Sequence, residues 1–321
     1  MKAQKIIKQS FIYLFLICGA LMMVFPFIWM ILSAFKTHAE IIQMPPKFFP
    51  SSFSFKNFIQ AFSMAPFGKY FFNSVVVMIA SVLCTTLTTI FGAFAFSRLK
   101  FPGKEIIFSG LLSLMMIPFE MLIITNYTTI VKMGLYNTLP ALILPFVSSI
   151  FYTYILKNFF DTVPDNLYNS AKIDGASNWK YLWRILVPMA KPSLYTIILL
   201  NALASWNSFM WPLYITSDSS SRTLPYGLQV FTTEAGSYPE LLMAASTVIV
   251  LPMIILFIFA VMMIRGEVVI KYSDTLSITV RVLGIPIRIL PRKKKKIKIS
   301  DYSPKKRAKI EEKRTSFFCK A

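Results

Sequence analysis

Uncharged apolar runs long enough to cross a bilayer recur along this chain and set its architecture. A hydrocarbon core of about 30 Å is crossed by roughly 20 apolar residues in a helix. Six stretches meet that length, at about 11–35, 70–97, 106–125, 134–156, 193–216 and 241–264. Backbone groups in lipid must bond within their own segment, so each run is predicted as a helix. Barrel strands would be shorter and would alternate polar with apolar residues. The expected fold is an all-α integral membrane protein with six transmembrane helices in residues 1–264. Lys2, Lys5 and Lys8 precede the first run, as in a signal peptide. The run is too long for a signal core and has no small-x-small cleavage site before WMILSAF, so it is read as an uncleaved helix.

The connections differ in kind. Residues 36–69, including MPPKFFPSSFSF, read as an irregular segment packed on the outer face. SRLKFPGK and VKMGLYN are short, which makes their flanking helices antiparallel neighbours, and SDSSSRTLPYGLQVFTTEAGSYPE is a polar loop partly ordered by its aromatic residues. Residues 157–192 carry more pattern. Thr162 and Pro164 are placed to open a short helix, Gly175 to end it, Ser177 to cap a second and Pro188 to close that one. In the second helix Trp179, Leu182, Trp183 and Leu186 form an apolar stripe, with Lys180 and Arg184 off it. Such a helix either lies on the bilayer or docks into a partner.

Composition agrees with the pattern. Of 321 residues, 55% are apolar and 15% charged, with a mean hydropathy of +0.60, which excludes a soluble globule. With the N-terminus inside, the inner segments hold Lys2, Lys5, Lys8, Arg98, Lys100, Lys104, Lys157, Lys172, Lys180, Arg184 and Lys191. The outer loops hold only Lys36, Lys47, Lys56, Lys69, Lys132 and Arg222, a bias that places both termini in the cytoplasm. The net charge of +20 is concentrated in the tail: from Arg265 onward there are 17 Lys and Arg against 5 acids. PRKKKKIKI at 291–299 suits anionic lipid, so membrane lipid is an expected partner and nucleic acid is not. Cys18, Cys84 and Cys319 have neither metal-ligand spacing nor a paired extracellular pattern.

Candidate chemistry is sparse. No G-x-x-x-x-G-K-[ST] loop occurs, so ATP is not hydrolysed here by that route. His38 is the single histidine and reads as a loop residue; no metal site, no cofactor and no nucleophile-base constellation is expected. Glu120 is a carboxylate within a predicted span, read as a functional position or as a residue reaching interfacial water. Asn201, Ser205, Trp206 and Asn207 put polar and aromatic groups in the fifth span. There they either meet a hydroxyl-rich solute or hold helices together.

NSAKIDGAS…ILVP resembles the cytoplasmic EAA loop of ABC-importer permeases, written E-A-A-x-x-x-G, nine residues, then I-x-L-P. Ala171 stands at the second alanine and Gly175 at the glycine, and Ile185 and Pro188 fall on the final motif. Asn169, Ser170 and Val187 depart from it, which weakens a charge contact at Asn169. FFNS (71–74), AFAFSRLKFPGK (93–104), MMIP (115–118) and LYNTLPALILP (135–145) are similar to the maltose-type sugar branch. So are WNSFMWPL (206–213), TLPYGL (223–228) and LLMAAS (241–246). The similarity runs in order over about 10–260. It implies a bacterial inner-membrane permease for a sugar, paired with a second permease and two ATP-binding cassette subunits and fed by an extracellular solute-binding protein. In this resemblance 157–192 is the coupling loop, with Asn169, Ser170, Ala171, Asp174, Gly175, Ala176, Ser177, Ile185 and Pro188 facing the ATPase, and Glu120, Asn201, Trp206 and Asn207 are pore candidates. The alternatives are a stand-alone secondary transporter, which would show paired intramembrane charges or repeated halves, and an ABC permease for another solute. Near Val261 the chain leaves the family pattern and continues as a basic tail, 265–321. A shifted reading frame, a lipid-facing tail and a fused partner-binding segment are the three readings of it.

Overall fold

The computed structural model describes the backbone of residues 2–233 and 236–264 and of strands at 268–273, 275–282 and 285–288; side chains are described for 9–232 and 238–262. The described chain is mostly helical. Its helices are α1 (Lys2–Ser33), α2 (His38–Ile42), α3 (Lys56–Ser63), α4 (Phe67–Arg98), α5 (Lys104–Leu114), α6 (Ile123–Lys132), α7 (Leu139–Ile143) and α8 (Ile150–Thr162). They continue as α9 (Asp165–Ile173), α10 (Asn178–Tyr181), α11 (Val187–Met189), α12 (Lys191–Trp206), α13 (Met210–Ile215), α14 (Leu224–Gly227) and α15 (Pro239–Ile264).

Three helical segments are each long and apolar enough to cross a membrane: Gln9–Ser33, Phe67–Arg98 and Pro239–Met262. The number rises to six if each of three bent helix pairs is one span. The run expected over 106–125 breaks into Lys104–Leu114 and Phe119–Lys132, bent by 91°. Pro118 is the cause: it donates no backbone hydrogen bond and its ring clashes with the carbonyl four residues back. The preceding amides of Met115, Met116 and Ile117 already bond only three residues back. The run expected over 134–156 starts later, at Leu139, and bends by 46° before Ile150, where the Ser149 hydroxyl accepts the Tyr152 amide at 3.3 Å and opens a new helix. The run over 193–216 is α12 followed by α13, interrupted at Asn207–Phe209. A further bend, of 80°, separates Asn178–Met189 from α12.

α4 is the central rod. Ile90, Ala93 and Phe94 pack with Leu156, Phe160 and Ile197 of α8 and α12. Close to its other end, Phe67 and Tyr70 join Trp206, Phe231, Ala244 and Ala245. The alanines are fully buried, allowing the backbones of neighbouring helices to approach. The bend between α7 and α8 frees backbone carbonyls, and α4 supplies the donors. Thr85 Oγ1 donates to the Phe146 carbonyl at 2.6 Å and Thr88 Oγ1 to that of Val147 at 2.8 Å. α1 differs, since no residue of its most apolar stretch is buried within the chain.

Residues 34–66 contain two helices where an irregular segment was expected, and their ends are pinned. The buried Lys36 ammonium donates to the Lys47 carbonyl at 2.8 Å and lies 3.9 Å above the Trp29 ring; burial lowers its pKa, against the pull of Glu40. Asn57 Nδ2 donates to the carbonyls of Ala34 and Lys36 at 2.9 and 2.8 Å. His38 Nδ1 lies 2.9 Å from Glu240 Oε2 of α15.

Strands depart from the all-α expectation. β1 (Thr232–Thr233) and β2 (Gly236–Ser237) make a small ladder. The tail is a separate unit whose described part is an antiparallel sheet of β3 (Val268–Ser273), β4 (Thr275–Val282) and β5 (Ile285–Arg288). Val, Ile, Thr and Tyr are frequent in these runs, and β-branched and aromatic residues fit a pleated strand. The basic run at 291–299 and Cys319 lie outside the described residues.

Candidate functional site

The 157–192 connection folds into a knuckle. Pro164 sits at the start of α9, while Thr162 belongs to the last turn of α8, its hydroxyl donating back to the Phe159 carbonyl at 2.7 Å. α9 ends in a Schellman closure: the Ala176 amide donates to the Ala171 carbonyl at 2.8 Å and the Gly175 amide to that of Lys172 at 3.0 Å. That closure needs a left-handed residue, and Gly175 has φ +76°. Ser177 caps α10 by accepting the Lys180 amide at 3.2 Å. Across the turn Tyr168 Oη donates to Asn178 Oδ1 at 2.8 Å, and its ring meets Tyr181 edge-on at 4.9 Å.

Pro188 does not close the second helix. Residues Leu182–Leu186 widen into a π-turn and the helix runs on to Met189. Pro188 offers no amide to the carbonyl four residues back, so the ladder shifts by one instead of breaking. Part of the apolar stripe is buried within the chain itself. Leu182 and Leu186 are buried with Phe94, Leu156 and Phe160 of the same chain. Trp179 is 63% exposed yet stacks on Phe91 at 5.9 Å, and Trp183 meets Phe91 edge-on at 6.2 Å. Through Leu182, Leu186 and the Phe91 contacts the second helix rests on α4 and α8 of the same chain. Asn169, Ser170, Asp174, Gly175 and Ser177 remain exposed, as does Ile173 at 86%. Ala171 is buried, Ala176 and Ile185 are half-buried, and Pro188 is exposed beyond the π-turn, away from the Schellman closure.

A clamp that the sequence reading missed joins this knuckle to α4. Arg98, the last residue of α4, donates through Nη1 to Asp165 Oδ1 at 2.7 Å, and through Nη2 to the carbonyls of Phe160 and Val163 at 2.6 Å each. Its side chain is 5% exposed, whereas that of Asp165 is 79% exposed. Beside it, Ser97 Oγ donates to Asp161 Oδ1 at 2.8 Å, and Lys157 bonds Asp161 Oδ2 at 2.7 Å. The signal present in the sequence was a cation ending an apolar run with two aspartates flanking Pro164. Their pairing spans more than sixty residues and has no local signature.

At the opposite end of α4, Asn73 Nδ2 donates to the carbonyls of Ser220 and Arg222 at 2.8 and 2.9 Å, and Ser74 Oγ accepts the Leu224 amide at 2.7 Å. Asn137, with φ +58°, ties the same loop to residues 135–138: its Oδ1 accepts the Ser217 amide at 2.9 Å and its Nδ2 donates to Asp218 Oδ2 at 2.7 Å. Hydrogen bonds from Ser220, then from Asn137, hold the Asp218 carboxyl below the usual carboxylate range. Gly227 lets the backbone press onto Phe67, because an added Cβ would lie 2.8 Å from Phe67 Cε1.

The four pore candidates are not brought into one site. Asn201 faces a cavity of about 80 Å³ among α4, α7 and α12. Trp206 is buried with its Nε1 donating to the Ile249 carbonyl at 3.2 Å, so it packs α12 on α15. Asn207 borders a separate cavity of about 470 Å³ with Phe209, Gln229, Thr232 and Ser246. Glu120 is exposed in the first turn of the segment Phe119–Lys132, just after the Pro118 bend and beside Tyr127 and Tyr214.

Residues 9–266 match the family described as "Binding-protein-dependent transport system inner membrane component". The chain is 30% identical over 261 residues to the diacetylchitobiose uptake system permease protein NgcG of Streptomyces coelicolor, covering 79% of this chain and 85% of the relative. It is 32% identical over 243 residues to the arabinooligosaccharides transport system permease protein AraQ of Halalkalibacterium halodurans, covering 75% and 87%. A solved bacterial ABC transporter that imports the acidic polysaccharide alginate shares the fold, with a TM-score of 0.69 at 21% identity over 79% of this chain and 95% of that one. The match spans the helical unit from residue 9 onward and ends at the start of the basic tail, so this chain belongs to the family of binding-protein-dependent transport system inner membrane components.

Proposed function

We propose that the chain is one permease subunit of an ABC importer for a sugar, with six spans, both termini in the cytoplasm and half of the translocation pore. The family membership over residues 9–266 carries this reading. The relatives named for diacetylchitobiose and arabinooligosaccharide uptake support a saccharide as the solute. A second permease lines the other half of the pore, an extracellular solute-binding protein delivers the sugar, and two separate subunits hydrolyse ATP. The spans are the three long helices, the two bent pairs 104–132 and 139–162, and α12 with α13. The helix at 178–189 carries Lys180 and Arg184 and lies outside the membrane, as the docking element.

The knuckle suits a coupling role on physical grounds. A protruding turn with exposed Ile173, Asp174 and Gly175 fits a cleft in a partner. Its stripe is fixed to α4 and α8 and Arg98 is bonded to its base, so a push on the turn moves the helices as a unit. The cavity at Asn207 has the volume of a small-ligand pocket and several polar groups, which suits a hydroxyl-rich solute.

The test is a detergent pull-down of the tagged chain from its own host, with Gly175→Pro and Ile173→Glu as variants. Co-purification of an ATP-binding subunit and a second permease with the wild type, and loss of the ATPase alone with Ile173→Glu, is the expected result. Ile173 is exposed, so that variant keeps the fold even where Gly175→Pro does not. A chain that purifies alone and transports alone in liposomes would instead make this a secondary transporter.

A further inference from the structure

Among the described residues, three buried polar atoms from three different parts of the chain face one cavity without a hydrogen-bond partner in the protein. They are Ser81 Oγ of α4, Asn201 Nδ2 of α12 and Thr223 Oγ1 of the segment leading into α14. Their residues are 1%, 6% and 5% exposed. Elsewhere in the chain, a helical hydroxyl commonly bonds back to the carbonyl four residues earlier, as Thr153, Thr196 and Thr247 do. Ser81 does not. Leaving a buried donor or acceptor unpaired costs about 1–3 kcal/mol, so three such groups around one space call for a polar occupant.

The size of that space selects the occupant. The cavity is about 80 Å³, whereas pockets for small organic ligands run from about 300 to 1,000 Å³. A polar cavity holds a water once it offers about 10–15 Å³, and each water makes two to four hydrogen bonds. Ser205 and Ser208 add hydroxyls to the lining, while Leu142, Phe146 and Trp211 form its apolar wall.

We propose that this cavity is an internal hydration site, holding a small cluster of waters that bridge Ser81, Asn201 and Thr223. It is separate from the cavity at Asn207, and it does not depend on the transport reading. Its place beside the break at Asn207–Phe209 gives it a role. Water can exchange partners as α12 and α13 change their mutual angle, so the break flexes without stranding a buried donor.

Two tryptophans supply an internal control. Trp206 and Trp211 are both 2% exposed, but only Trp211 borders the cavity. In X-ray radiolytic hydroxyl-radical footprinting of the intact protein in nanodiscs, bound water generates radicals where it sits. Trp211 is expected to be modified several-fold faster than Trp206. Ala204→Leu, which fills the cavity, brings the Trp211 rate down to that of Trp206. Ser81→Ala combined with Thr223→Val removes two partners at little change in volume and lowers it without a filling residue. Equal, low rates for both tryptophans in the wild type would overturn the proposal. So would loss of Trp211 labelling under saturating oligosaccharide, which would make the occupant a sugar hydroxyl.

Discussion

Gly227 has no room for a side chain, because its Cα presses on the fully buried ring of Phe67 and on Tyr70. Gly227→Ala would force those rings to shift, an overpacking cost of about 1–3 kcal/mol. It is checked by thermal unfolding of the detergent-solubilised protein, where an unchanged midpoint would contradict the close approach. Glu40 shows a different dependence. Its carboxylate accepts bonds from Ser51 and Thr37, and the Ser51 side chain first, then the Thr37 amide, with smaller help from the Ser51 amide and the Thr37 hydroxyl, hold its pKa down to about 2 from the ordinary 4.5. A depressed carboxylate stabilises the fold fully above its unfolded pKa and loses that contribution as the pH falls through the folded value. The connection at 37–51 should therefore become easier to cleave with pepsin as the pH drops from 4.5 toward 2. With Glu40→Gln it should be cleaved easily throughout, and identical profiles would contradict the assignment.

α4 is about 48 Å long at 1.5 Å per residue, and it holds a loop at each end. Arg98 grips the base of the knuckle with three hydrogen bonds, two of them to carbonyls no lysine could reach together. In the proposed importer complex, Arg98→Lys should keep the helices assembled and leave basal ATPase activity intact while sugar uptake falls. Asp165→Asn should change stability by less than about 1 kcal/mol, since its carboxylate is mostly exposed and remains hydrated. Equal effects of the two variants on uptake would mean that the ion pair, and not the carbonyl grip, is what matters. At the far end, Asn73→Ala frees two carbonyls of the 217–224 loop at a cost of about 1–3 kcal/mol. Faster tryptic cleavage at Arg222 is the readout.

In the proposed orientation, the knuckle and the Glu40 loop should lie on opposite sides of the membrane. In a chain without native cysteines, Ser51→Cys should react with an impermeant maleimide on intact cells, and Ser170→Cys only after permeabilisation. The reverse pattern would invert the topology and remove the knuckle from any cytoplasmic ATPase. Along its most apolar stretch α1 presents exposed apolar side chains, as suits a helix set in lipid.

Run length, turn chemistry and motif order were legible in one dimension because each depends on neighbours in sequence. The lipid-length runs, the Gly175 closure and the Ser177 cap all rest on contacts within about six residues. Three features did not follow from that. Pro118 turned one apolar run through a right angle, and Pro188 widened a helix that it was expected to end. Whether a proline breaks, bends or is absorbed depends on what packs beside it. The apolar stripe at 179–186 announced burial without naming the surface, and α4 and α8 of the same chain covered Leu182 and Leu186 while leaving Trp179 largely exposed. Arg98 with Asp165, and Ser81 with Asn201 and Thr223, are each assembled from distant segments by helix packing. Amphipathic period and hydropathy report how much surface must be hidden, and only the packed helices determine which polar groups are then left facing one another.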